Sequence, residues 1–182
     1  KELQNRGIPV TVAKSRSFYE EPVISPVMQC LEIIVNPDDC CVLTAMLSDG
    51  PFAVGEKTLQ AFIAQTQKSS AAPRHTLLLE SATIPGVSSA GVRQLTRPGS
   101  LLAGISHESI SIALDGLIKM LWANIYPEGA GNNDLLLELL TAAMPFSHVP
   151  AAQGIPLFLK KIALLKEGDS LTPNREAVTL MT

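Results

Sequence analysis

Apolar residues recur at helical spacing over most of the chain. Val27, Cys30, Leu31 and Ile34 fall at i, i+3, i+4 and i+7, one stripe of a helix. Ser25 ahead of them reads as its cap and Pro26 as its first turn. Asn36-Pro37-Asp38-Asp39 signals the next helix: Asn36 caps, Pro37 opens, and the two acids favour the positive helix end. That helix runs through Val42, Leu43 and Met46 to a stop at Gly50-Pro51. Residues 56–67 and 74–82 are predicted helical. Ser106 is predicted to start a long central helix reaching residue 125, with Ile110, Ala113, Leu114, Leu117 and Leu121 in one stripe and Ile112, Ile118 and Trp122 filling other faces. Residues 134–144 give another helix. Ile155, Phe158, Leu159, Ile162 and Leu165 mark the last, ended by Gly168. Residues 84–104, with Pro85-Gly86, Gly91 and Pro98-Gly99, are expected as loops and short turns. Alternating, strand-like patterns occur at Gly7-Ile8-Pro9-Val10-Thr11-Val12 and at Ala177-Val178-Thr179-Leu180-Met181. The pattern predicts a mainly α fold: an irregular multi-helix domain of about seven helices with short strand fragments at both chain ends.

Composition narrows the function classes. With 46% hydrophobic residues in 182, dominant disorder is excluded, and the length suits one domain with a sizeable core. No run approaches the roughly 18–20 apolar residues of a spanning helix. The net charge of −3 does not announce a nucleic-acid binder. Its distribution is uneven, however. Between Lys57 and Ser106 five basic residues face one acid, Glu80, a local charge of +4 in a chain whose remainder carries −7. Such a stretch suits a phosphate-facing surface as well as an ordinary solvated one. Cys30, Cys40 and Cys41 are odd in number and sit in helix-like runs, which favours small buried hydrophobes in a reducing compartment. The chain opens on Lys1 without a charged-then-apolar leader, so no secretory signal and a cytoplasmic setting are expected.

Catalytic patterns are missing. The sequence holds no G-x-x-x-x-G-K-S/T phosphate loop. Gly129-Ala130-Gly131 follows no strand, so it makes no dinucleotide fingerprint. Gly86-Val87-Ser88-Ser89-Ala90-Gly91 has Ala90 where a nucleophile elbow needs its second glycine. Asp38-Asp39 and Glu20-Glu21 are explained by a helix start and a turn.

Two sets of residues carry a resemblance. Gly7-Ile8-Pro9-Val10 is followed by Ser17-Phe18-Tyr19-Glu20, then by a helix, Asn36-Pro37-Asp38-Asp39, and Phe52-Ala53-Val54-Gly55-Glu56-Lys57-Thr58. This order resembles the accessory region of superfamily 1 DNA helicases of the UvrD, Rep and PcrA type. Their pattern is G-I-P-Y or G-I-P-V, F-F-E-R, a helix, N-P-x-D, then G-I-G-x-x-T. At the other end, Phe158-Leu159 through Asp169-Ser170-Leu171 to Glu176-Ala177-Val178-Thr179-Leu180-Met181-Thr182 looks like the approach to helicase motif V. Glu21 departs from the arginine of F-F-E-R, and Ala53 from the first glycine of G-I-G.

The resemblance implies an organisation and a function. Residues 1–36 would be the edge of the second RecA-like domain, residues 37–170 a helical insertion like domain 2B, and residues 171–182 the return strand toward motif V. The fragment itself would be no enzyme. Its parent would be an ATP-dependent DNA helicase, acting in DNA repair, with ATP and magnesium bound by that parent rather than here. The expected partners are duplex DNA, held weakly and without sequence preference, and the RecA-like motor domains of the same parent, with no membrane. The contact is expected at Gly55, Lys57 and Thr58, where a helix start offers free backbone N–H groups. Lys68, Arg74, Arg93 and Arg97 would assist. The other reading of the same helices is a protein-interaction module without a nucleic-acid role.

Overall fold

The computed structural model describes residues 10–12, 18–69, 75–105, 111–127, 132–171 and 178–180. Among these residues the fold is mainly α. Its helices are α1 (Ser25–Val35), α2 (Cys40–Ser48), α3 (Glu56–Lys68), the single turn α4 (Thr76–Leu79), α5 (Ser89–Gly104), α6 (Leu114–Ile125), α7 (Asn133–Ala143) and α8 (Ala151–Leu171). Strand is confined to β1 (Val10–Val12) and β2 (Val178–Leu180), which pair in parallel with Val10 opposite Val178 and Val12 opposite Leu180.

The core sits where α1 meets α2, α6 and α8. Val27, Cys30 and Leu31 of α1 and Leu117, Ile118 and Leu121 of α6 are fully buried, as their stripes require. Tyr126, just past α6, donates its hydroxyl hydrogen to the Val23 carbonyl oxygen at 3.0 Å and so ties the end of α6 to the entry of α1. The boundary expected at residue 36 thus lies between two helices, α1 and α2, that pack on each other.

Several local expectations are corrected. Ser25 is the first helical residue rather than the cap. The preceding residue, Ile24, is itself in helical conformation, and the N–H groups of Ile24 and Ser25 are both taken by the Glu21 carbonyl at 2.8 Å. Asp39, not Asn36, caps α2: its Oδ1 accepts from the N–H of Cys41 at 2.9 Å and of Val42 at 3.1 Å. Asn36 instead closes α1. Cys30 is buried, but Cys40 is half-buried and Cys41 exposed, because they occupy the first turn of α2. The long central helix begins at Leu114, not Ser106. Residues 106–110 lie outside the described residues, and Ala113 is held extended by an antiparallel bridge to Pro150 and by the Ala151 N–H on the Ile112 carbonyl at 2.7 Å. Ile112 is 39% exposed rather than packed.

The largest difference is α5, a sixteen-residue helix where loops were expected. Ser88 caps it, its hydroxyl accepting from the Gly91 N–H at 3.1 Å, and Leu95 and Leu102 place a buried stripe on it. Two of its glycines serve close packing. A β-carbon built on Gly91 would lie 2.7 Å from Thr58 Oγ1 and 3.0 Å from Thr58 Cγ2; one on Gly99 would lie 2.9 Å from Leu78 Cβ. Pro98 is accommodated inside the helix and buried.

Candidate nucleic-acid interface

The expected contact residues converge on one corner, with exceptions. The corner begins where α2 ends. Gly50–Phe52 make a single 3-10 turn, closed by the Ala53 N–H on the Gly50 carbonyl at 3.2 Å. The Val54 N–H then bonds the Leu47 carbonyl at 2.9 Å, and Phe52 is buried beneath. This fixes Gly55 as the residue that precedes α3.

Gly55 has an ordinary extended backbone, φ −63° and ψ 145°, and a β-carbon on it would meet nothing within 4 Å. The fold therefore does not need glycine there. No side chain caps the start of α3, so its first N–H groups have no capping side-chain acceptor. Glu56 stands beside this positive end, and its carboxylate accepts from Gln60 Nε2 at 3.1 Å. Lys57 is exposed. Thr58 is only 8% exposed, since its side chain packs on Gly91. Thr58 can therefore offer a ligand its backbone N–H better than its hydroxyl. Its packing also sets the first turn of α3 against the first turn of α5.

Arg93 and Arg97 follow on α5, one turn apart. Together with Gln94, Phe52, Ala53 and Ala90 they border a recess of about 420 Å³ that has no acidic residue in its wall. A second recess, of about 380 Å³, is bordered by Glu20 and Asp49 and would repel a phosphate. Lys68 is exposed at the far end of α3, about 16 Å from Lys57 along the helix axis. It is not part of the corner. Arg74 lies outside the described residues. Among the described residues the one ion pair is Lys119 with Asp115 at 3.1 Å, so neither Lys57 nor Arg93 is paired with a described carboxylate. That pairing holds the Asp115 carboxyl below its ordinary value.

Sequence reasoning missed the recess. Gln94 and Phe52 carry no charge to draw attention, and α5 itself was not expected. The signal present was the R-x-x-x-R spacing of Arg93 and Arg97, which puts both on one helix face.

Among the described residues no group of three or more His, Cys, Asp or Glu side chains is placed to hold a metal ion. Burial pushes the Cys30 thiol up to about 12, which removes it as a nucleophile. Burial also raises Tyr19, assisted by the Glu138 charge, and raises Tyr126. None of these groups lines the recess. No helix among the described residues is long and apolar enough to cross a membrane.

Fold and corner together define a mainly α domain with exposed cations near a helix start that no side chain caps. Residues 1–82 match the family model of the UvrD-like helicase C-terminal domain, which supports a UvrD-type helicase family and a helicase-related function. No curated protein matches the chain.

Proposed function

We propose that this chain is the accessory helical insertion of an ATP-dependent DNA helicase, of the 2B kind, which touches the backbone of duplex DNA and modulates unwinding. The observation that carries the reading is the parallel pairing of Val10–Val12 with Val178–Leu180 around a helical body, in a chain whose first 82 residues match the helicase family. Parallel strands occur almost only inside covered sheets, so two three-residue strands fit the edge of a larger parallel sheet. In this reading that sheet is the second RecA-like domain of the parent, and the motor domains are the chain's first partner. ATP and magnesium act in those motor domains. The sequence here holds no phosphate loop, which supports that division of labour.

The DNA contact is assigned to Gly55, Lys57 and Arg93. A glycine that the fold does not require lets a phosphate approach the uncapped start of α3, where Lys57 lies in the first turn, and Arg93 borders the recess that the preceding Phe52 and Ala53 also line. Lys68 extends the basic tract along α3 without belonging to the corner, and Arg74 adds to that tract in the sequence. Contacts of this kind read backbone rather than bases, so binding is independent of sequence. The overall charge of −3 opposes approach, which sets the affinity at the weak end of non-specific binding, about 10⁻⁴ M near physiological salt.

Fluorescence anisotropy with a labelled duplex at low and moderate salt tests the contact. Binding that weakens alike on unrelated sequences in a Lys57→Ala/Arg93→Ala variant supports it. Undetectable low-salt binding, or binding that ignores the double substitution, moves the protein-interaction reading ahead. That second reading is favoured by the exposed Leu137 (65%) and Met144 (68%) of the α7 region and Leu157 (51%) and Leu164 (58%) of α8.

A further inference from the structure

Arg93 and Arg97 border the same recess but are engaged differently. Arg97 is exposed like Arg93, but its fork is engaged by neighbouring elements. Its Nη2 donates to the Ile125 carbonyl at 3.3 Å, its Nη1 reaches the Pro51 carbonyl at 3.5 Å, and its guanidinium carbon lies 5.5 Å from the centre of the Phe52 ring. Ile125 is the last residue of α6, where unpaired carbonyls and the negative end of the helix dipole attract a cation. Pro51 and Phe52 belong to the turn that leads into Ala53, Val54 and Gly55. Arg97 therefore joins three elements: α5, the end of α6 and the turn before α3. Arg93 makes no ion pair with any described residue and stands exposed.

The geometry also separates arginine from lysine. Two carbonyls and an aromatic face are met at once by a planar fork, whereas a lysine ammonium is a single point on a flexible stem. A lysine at position 97 keeps the charge and loses the arrangement.

We propose that Arg97 is a positioning residue that fixes the turn presenting Gly55 and Lys57, while Arg93 is the cation that meets the phosphate. This rests on the duplex-contact reading above.

Four single variants test it: Arg93→Ala, Arg93→Lys, Arg97→Ala and Arg97→Lys. Far-UV circular dichroism first establishes that each is folded; if Arg97→Ala is not, Arg97→Lys carries the test. The first readout needs no DNA. Exchange of the Ala53 and Val54 amide hydrogens, whose acceptors are the Gly50 and Leu47 carbonyls, is followed in each variant. Arg97→Lys should speed it by about tenfold, the order expected for losing a charged hydrogen bond that secures the turn, and Arg93→Ala should leave it unchanged. The second readout is duplex binding against salt concentration. Arg93→Ala should flatten the slope by up to about one unit, and Arg93→Lys should restore it. Arg97→Lys should weaken binding with the slope kept. Wild-type exchange and binding in Arg97→Lys overturn the positioning role. If the unmodified chain fails to bind duplex at low salt, the contact reading falls, and Arg93's role with it; the exchange readout still decides where Arg97 acts.

Discussion

Replacing Gly91 by alanine tests the joint between α3 and α5 directly. Helix propensity alone favours the change, by no more than about 1 kcal/mol because Gly91 lies in the first turn of α5 rather than its interior. Packing opposes it. The new β-carbon would sit 2.7 Å from Thr58 Oγ1, 3.0 Å from Thr58 Cγ2 and 3.1 Å from Val87 Cγ1. Every staggered rotamer of Thr58 keeps a γ atom in at least one of these two γ positions, and Thr58 is too buried to swing outward. Overpacking of this kind costs about 1–3 kcal/mol. The expected net effect is a loss of about 1 kcal/mol, the difference between those terms. Thr58→Ala removes both γ atoms. Alone it loses about 0.8 kcal/mol of methyl burial, and most of that returns as helix propensity. In the double variant the clash is gone, and Gly91→Ala should then stabilise. Urea unfolding followed at 222 nm, run on all four corners of the cycle, should give a coupling energy of about 1–3 kcal/mol. A Gly91→Ala variant at least as stable as the parent, or a coupling below about 0.5 kcal/mol, would refute the close approach.

Three further outcomes are expected. Gly55→Ala should leave stability within about 0.5 kcal/mol of the parent, since its β-carbon meets only open space, while weakening duplex binding in the anisotropy assay; unchanged binding would remove Gly55 from the contact. Burial lowers the His75 pKa below its ordinary 6.5, with the Asp38 charge pulling partly the other way, and its Nδ1 has no partner among the described residues. The folded state therefore prefers neutral His75. Its contribution is full above pH 6.5 and is lost as pH falls below that value. Urea midpoints measured downward from neutral pH should fall less steeply in His75→Gln, and parallel profiles would contradict the linkage. Finally, with no phosphate loop in the sequence, the purified chain should not turn over ATP with or without DNA; DNA-stimulated phosphate release by this chain alone would end that assignment.

Where an apolar stripe was uninterrupted, the sequence was enough. The faces of α1 and α6 read from Val27, Cys30 and Leu31 and from Leu117 and Leu121 are the buried faces observed. The ends of elements were less legible. Asn36 and Asp39 are both good caps by type, and only the approach of the chain selects Asp39. The helix α5 was hidden for a different reason. Gly91, Pro98 and Gly99 look like breakers when read along the chain, yet the two glycines let α3 and α4 come close. Their value lies in contacts with Thr58 and Leu78, which no local pattern displays. The corner followed the same division. Lys57, Arg93 and Arg97 were visible as charge, whereas the Arg97 partners, Pro51 and Ile125, are carbonyl groups 46 and 28 residues distant. Nothing in the sequence around Arg97 sets it apart from Arg93.

The pairing of β1 with β2 also constrains the order of folding. It closes a loop of about 165 residues, for which chain entropy alone charges roughly 4–5 kcal/mol when the intervening segment is a flexible coil. Three residue pairs of sheet cannot offset that. The strands can meet only after the helices between them have condensed, because a compact body holds its entry and exit near each other and removes most of the entropy to be lost. The contact between Tyr126 and Val23 is one such long-range closure made inside the helical core itself. Helix assembly should thus be the fast and self-sufficient event, and strand registration a late one. In refolding experiments, amide protection at Thr11 and Thr179 would then lag behind protection in α1 and α6, and a mutation confined to the strands would change the last kinetic phase while sparing the first.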